Sequence, residues 1–273
     1  MTLPMFDTLA LLHHDKVLEV RLNRPDKSNA LNEAMWQEIR SAFQWADSEP
    51  GVRAVVLTAA GRNFCAGIDL AMLAGVTARI ADADEARSRE KLHALIRDLQ
   101  DCLSSIERCR KPVLAAIQGA CLGGGLDMVA CCDMRYASAD AVFAIREIDL
   151  AMVADVGSLQ RLPKLISPGL VREWAYTGRD VAAGEAASSG LVNATMPDVE
   201  ALRAAVLQIA QQIATKSPLA VRGSKMALNY ARDHGVAEGL EQVASWNAAA
   251  LLSADLHEAM AALQARRPAR YPD

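Results

Sequence analysis

Between Lys16 and Asn23 the stretch KVLEVRLN alternates apolar and polar side chains, the period of a half-buried strand. Turn chemistry follows in NRPDKSNALN, and Asn32 stands where a helix N-cap belongs. The helix it opens runs to about Ala46, with Met35, Ile39 and Phe43 on one face. VRAVVLTAA reads as a buried strand, and GRNFCAGIDL as a loop entering a short helix. From Asp82 to Arg108 the period changes to helical, with Leu92, Leu95, Ile96, Leu99, Leu103 and Ile106 as an apolar stripe. PVLAAIQGA is a strand, CLGGGLDMVACC a glycine-rich loop entering a helix, and DMRYAS a further strand.

Strands and helices thus alternate up to about Pro197, which predicts an α/β core. Beyond it the strand pattern stops. Residues Asp198 to Arg266 read as successive helices, broken at Lys216-Ser217-Pro218, Gly235 and Ser253. The expected organisation is a core over 1–197 that holds the site and a helical region over 198–273 packed on it as an appendage.

Composition narrows the classes. The 273 residues are 52% hydrophobic and 23% charged, a globular balance, and aromatics are only 4%, so the core rests on Ala, Leu, Val, Ile and Met. A net charge of -4 argues against bulk electrostatic binding of nucleic acid. Six cysteines form no CxxC pair and no zinc spacing, so neither a metal nor a disulfide framework is expected. The longest uncharged stretch, Pro112 to Leu126, is short and rich in glycine, a poor membrane span. With no basic leader at the start and no peroxisomal tripeptide at the end, the expected location is cytoplasmic.

Candidate chemistry lies in two loops and one acidic stretch. FCAGIDL (64–70) and CLGGGLDM (121–128) each follow an apolar strand and open a helix. Small residues there admit a ligand close to the backbone, and one free N–H from each loop would clamp a single oxygen that gains negative charge. Taken alone, the same glycines equally serve tight helix–strand packing. Neither loop carries GxGxxG or a P-loop. In REIDLAMVADVGSLQRLP (146–163), Glu147, Asp149 and Asp155 sit among small apolar residues, where an unpaired carboxylate is costly. By itself Asp155 suits a helix cap, Glu147 a surface strand and Asp127 the first turn of a helix. Asp69 and Asp149 suit helix-start or loop roles, and the five histidines fall outside these motifs.

NRPDKSNALN, FCAGIDL, IQGACLGGGLDMVACCDMRYAS and FAIREIDLAMVADVGSLQRLP, taken together and in this order, resemble the crotonase superfamily, the enoyl-CoA hydratase/isomerase family. The resemblance implies a spiral of ββα turns followed by C-terminal α-helices that mediate trimerisation, hence a homotrimer or a dimer of trimers. It implies an acyl-CoA thioester as substrate, with no cofactor beyond that coenzyme A. The amides of Ala66 and Gly124 would form the oxyanion hole, and Ala66, Gly67, Ile68, Asp69, Leu70 and Gly124, with Arg24 and Lys27, would bind substrate. Within the superfamily, the triplet Asp127, Glu147 and Asp155 resembles the dienoyl-CoA isomerase branch, because Asp155 adds an acid eight residues after Glu147 where hydratases continue with glycine and proline.

That branch implies conversion of 3,5-dienoyl-CoA to 2,4-dienoyl-CoA in the β-oxidation of unsaturated fatty acids. Asp155 and Glu147 would transfer protons at carbons 2 and 6, Asp155 favoured at carbon 2, with Asp127 tuning them in a dry cavity. Rival readings are an enoyl-CoA hydratase or Δ3-Δ2-enoyl-CoA isomerase on the same fold. From another class, the rival is a non-catalytic acyl-CoA- or RNA-binding member.

Overall fold

A computed structural model describes residues 2–273. The chain opens with a hairpin the sequence pattern did not announce. Strand β1 (Leu9–His14) turns through Asp15 and Lys16 into β2 (Val17–Leu22), antiparallel to it. Asp15 takes a φ of 56° to make the two-residue turn. Helix α1 (Glu33–Ser48) starts where expected, with Asn32 Oδ1 accepting the Met35 N–H at 3.0 Å. After β3 (Ala54–Ala59) come α2 (Leu70–Ile80) and α3 (Glu85–Arg108), the latter capped by Asp84 rather than starting at Asp82. The chain continues through β4 (Val113–Ile117), β5 (Ala120–Leu122), α4 (Gly124–Ala130), β6 (Met134–Ser138) and β7 (Val142–Ala144). A 3₁₀ turn at Glu147–Leu150 precedes α5 (Ser158–Arg161), α6 (Pro168–Thr177), β8 (Val181–Ala182), α7 (Ala183–Ser188) and β9 (Ala194–Met196).

Two sheets result. The larger has the order β1-β2-β3-β4-β6-β9 and is parallel from β2 onward, while the smaller has the order β5-β7-β8. Consecutive strands β4 and β5 enter different sheets, as do β6 and β7, and β5 pairs with β7 as β4 pairs with β6. A bridge between Cys65 and Cys121 extends the small sheet by one position. Each circuit therefore lays one strand on each sheet and then a helix, the ββα spiral.

The period of the strands sorts their side chains between two cores. From β3, Val55, Leu57 and Ala59 enter the main core with Trp36, Ile39 and Phe43 of α1 and Leu103 and Ile106 of α3. Ala54 and Val56 face the other way, against Leu202, Val206 and Ala210 of α8 (Val199–Ala214). Fully burying a side chain of this size contributes about 1.5–3 kcal/mol. Helix α8 thus covers this face of the sheet, and the boundary expected after Pro197 falls between β9 and α8. Helices α9 (Pro218–Asp233), α10 (Val236–Ala250) and α11 (Ala254–Gln264) start at the three expected breaks, with Ser217 and Ser253 as side-chain caps. Buried Lys225 of α9 bonds Asp133 Oδ2 at 2.7 Å and the Lys111 carbonyl at 3.0 Å, which fastens α9 to the spiral.

Candidate active site

The two glycine-containing loops meet edge to edge. The Cys65 N–H donates to the Ala120 carbonyl, and the Leu122 N–H donates to the Cys65 carbonyl, both at 2.9 Å. Gly67 has φ +94°, open to glycine, and a β-carbon there would stand 3.1 Å from the Leu122 carbonyl oxygen. The loop's amides are then spent one by one. Ala66 N–H donates to the Ser28 carbonyl at 2.9 Å, and Asp69 N–H to the Leu31 carbonyl at 3.0 Å. Ala66 is therefore not the free donor expected of it. Ile68 N–H has no acceptor among the described residues, nor does Gly124 N–H. A β-carbon on Gly124 would lie 3.9 Å from the Ile68 nitrogen, so these two open amides belong to one spot. The open amides at this spot are thus those of Ile68 and Gly124, where the sequence pointed to Ala66 and Gly124.

Arg24 and Asp69 hold this loop. Both terminal nitrogens of Arg24 bond Asp69 Oδ2 at 3.1 Å, while Asp69 Oδ1 caps α2 through the Ala71 N–H at 3.0 Å. Arg24 is thus engaged within the fold, whereas Lys27 stays exposed beside it. Leu70, 65% exposed, opens α2 at the rim.

The acids occupy two different settings. Asp127, in the first turn of α4, is sealed from solvent. Its Oδ1 accepts the Ser158 N–H at 2.5 Å, and its Oδ2 is buried without a partner among the described residues. Glu147 begins the 3₁₀ turn, half-buried, with Oε2 likewise buried and unpartnered. Gly123 at φ +48° makes room for it, since a β-carbon there would be 2.9 Å from Glu147 Oε1. Burial pushes the Glu147 carboxyl up to about 7, helped by the charges of Asp127 and Asp155. Burial also raises Asp127 to about 6, against the Ser158 hydrogen bonds that pull it down. Repulsion between the two favours a single proton held by the pair.

Asp155 departs from the expectation of a shared dry cavity. The residue is exposed, on the irregular stretch between the 3₁₀ turn and α5. Its carboxyl is desolvated enough to be raised, and it acts through space on both buried acids. The capping reading is not met: α5 has Gly157 at its N-cap with no side-chain bond, and Asp127 takes the first N–H of α5 from another element. Asp149 has the structural part expected of it, paired with Arg146 at 3.2 Å.

The segment carrying Asp155 separates two cavities. One, of about 510 Å³, is polar and touches Asp155, Gln100, Glu107 and Arg161. The other, of about 330 Å³, is apolar, lined by Ile148, Met152, Val153 and Ala154 against Val171 and Ala175 of α6. Residues the sequence reading left unmarked, Ser158, Gly123 and Gln100, bond or make room for the acids. Only the small-residue run around them hinted at such closeness. All six cysteines are buried, with Cys65 and Cys131 pushed by burial to about 12, far from a reactive thiolate. Among the described residues no cluster of His, Cys, Asp and Glu is arranged to hold a metal, and no helix is long and apolar enough to cross a membrane.

Similarity to known proteins extends across nearly the whole chain. The family described as Enoyl-CoA hydratase/isomerase matches residues 13–273. A mitochondrial Delta(3,5)-Delta(2,4)-dienoyl-CoA isomerase from Homo sapiens is 46% identical over 88% of this chain and 74% of its own length. A peroxisomal one from Arabidopsis thaliana is 41% identical over 99% of both chains. Neither compartment matches the cytoplasmic expectation. A solved enoyl-CoA hydratase from Bacillus anthracis superposes with a TM-score of 0.88 at 31% identity, covering 97% of this chain and 99% of its own. The chain belongs to the enoyl-CoA hydratase/isomerase family.

Proposed function

We propose that the protein isomerises 3,5-dienoyl-CoA to 2,4-dienoyl-CoA, in the oxidation of unsaturated fatty acids. The observation that carries this reading is a third acid, Asp155, freed from capping and set apart from the buried Asp127–Glu147 pair. One acid pair suffices to handle a single water. Moving two conjugated double bonds requires a proton to leave carbon 2 and another to arrive at carbon 6, positions too far apart for one carboxyl.

The thioester oxygen accepts hydrogen bonds from the Ile68 and Gly124 amides. Asp155 removes the carbon-2 proton, and the electron pair spreads from the enolate oxygen to carbon 6. Glu147 delivers its proton at carbon 6, leaving the 2,4-diene. Asp155 is the more exposed of the two, so its charged form is penalised less than that of Glu147, as a base requires, whereas burial keeps the proton on Glu147, as an acid requires. Asp127 raises Glu147 by repulsion and stays bound to Ser158. The acyl chain beyond carbon 6 enters the apolar cavity behind Met152–Ala154, and Lys27 meets the coenzyme A phosphates at the rim. Exposed Leu240, Leu251, Leu252 and Leu263 on and between α10 and α11 support assembly as a homotrimer or a dimer of trimers.

The test is spectroscopic. With 3,5-dienoyl-CoA the near-ultraviolet absorption of the conjugated thioester should rise. No rise with that substrate, together with loss of absorption from a 2-enoyl-CoA, would instead make the protein a hydratase. Tight binding of both esters without any change would mark a non-catalytic binder.

A further inference from the structure

The Asp155–Ser158 segment is irregular, yet it must hold one acid at the cleft and offer an N–H to another. Its support comes from α3. Gln100, Ser104 and Glu107 are spaced four and three residues apart, hence on one face of that helix. Gln100 Nε2 donates to the Asp155 carbonyl at 2.6 Å. Ser104 Oγ and Glu107 Oε2 both receive Arg161 Nη2, at 3.2 and 3.0 Å. The Arg161 guanidinium in turn lies against Gly157: a β-carbon there would be 2.0 Å from its Nη1. The Arg161 and Glu107 side chains are only 14% and 18% exposed, so the pair is poorly screened. The other oxygen of Glu107, Oε1, accepts from Arg232 of α9.

We propose that Arg161 is a positioning residue for the acid set: anchored by Glu107 and Ser104, it clamps Gly157 and so fixes both the Asp155 carboxyl and the Ser158 N–H that binds Asp127. The proposal rests on the isomerase reading for what the acids do, though not for how they are held. Arginine suits the task because its planar fork reaches α3 with one nitrogen and covers Gly157 with the other. Its charge also reaches Asp127, opposing the rise that burial imposes there. The other charges facing Asp127 are Glu147 and Asp155, since the Cys65, Cys121 and Cys131 thiols around it stay neutral.

Arg161→Met and Arg161→Lys in the full-length protein test this. In Arg161→Met, kcat for dienoyl isomerisation should fall about 10²-fold. KM should be unchanged, and the pH profile should move upward because a cation near Asp127 is gone. Arg161→Lys keeps the charge without the fork, so it should lose kcat while keeping the wild-type pH profile. It also serves if the methionine variant fails to fold. A purely structural arginine would lower Tm and leave kcat per folded molecule and the pH profile alone, and that result overturns the proposal. The Ser158 amide proton resonance in Arg161→Lys reads the positioning without substrate, because the charge is kept and only the clamp on Gly157 is lost. An upfield move, as the hydrogen bond to Asp127 loosens, supports the proposal even where wild-type protein fails to isomerise, and an unmoved resonance overturns it.

Discussion

Asp127 and Asp155 are the same side chain in opposite surroundings. The first sits in a helix turn, closed to solvent and bonded by one backbone amide, and the second lies on an irregular, exposed segment held from behind by α3. Between them Glu147 shares the burial of the one and feels the charge of the other. The contrast teaches that the local backbone, more than residue type, sets how far each acid is desolvated, and the proposed roles of proton holder and proton acceptor rest on that difference. On the buried side Gly123 makes room for Glu147, which feels the charge of Asp127. The open side is an irregular segment that leaves Asp155 exposed while its charge still reaches both.

The largest effects should come from removing either half of that division. Glu147→Gln and Asp155→Asn should each lower isomerisation by roughly 10²–10⁴-fold, the scale of a lost general acid or base. Binding of the CoA ester, measured by titration calorimetry, should persist in both, because the Ile68 and Gly124 amides remain. If one of the two variants turned over at the wild-type rate, the chemistry would need only one side of the site.

Next in size is the support of the buried side. Gly123→Ala places a methyl 2.9 Å from Glu147 Oε1 at a backbone φ of +48° with ψ -120°, a conformation alanine avoids. The strain alone should cost about 1–3 kcal/mol of stability, visible in chemical denaturation. Turnover should fall as well, because Glu147 must move. A variant of wild-type stability and rate would show that the Gly123–Glu147 approach carries no weight.

What could be read in advance was whatever rests on short-range chemistry. Asn32 caps the helix it was expected to cap, and Ser217 and Ser253, expected only as breaks between helices, prove to cap α9 and α11, because a cap is a contact across three residues. Of the stripe expected from Leu92 to Ile106, Leu103 and Ile106 enter the main core, Leu99 packs against it and Leu95 is buried, while Leu92 and Ile96 stay half-buried. Strands β7, β8 and β9, two or three residues each, have no such signal, since only their distant partners make them strands. The β1–β2 hairpin stayed hidden because an aspartate, not Asn-Gly, makes its turn. At the site, the glycine loops and the three acids could be picked out, but not which amide the Ser28 carbonyl consumes. That choice depends on Ser28 itself being in the left-handed region at φ 49°. The exposure of Asp155 was equally hidden, because the contacts that shape its segment come from α3, more than fifty residues upstream.

The most direct measure of the contrast between the two settings is the pH dependence of stability, which leaves turnover aside. Burial raises the folded-state values of Glu147 and Asp127 to about 7 and about 6, above the 4.5 and 3.8 of the free groups. The native state therefore holds protons that the unfolded chain releases. Their contribution is fully present below the unfolded values and is lost as pH rises through the folded ones. Glutamine at 147 does not titrate, so Glu147→Gln should gain on the wild type between about pH 5 and pH 8. Each kcal/mol moves Tm by about 2–4 °C in a chain of this size. Asp155→Asn should show a smaller pH-dependent gap, because water reaches that side chain. Equal gaps for the two variants would mean that Asp155 is as sealed as Glu147, and the division of labour argued from exposure would fail.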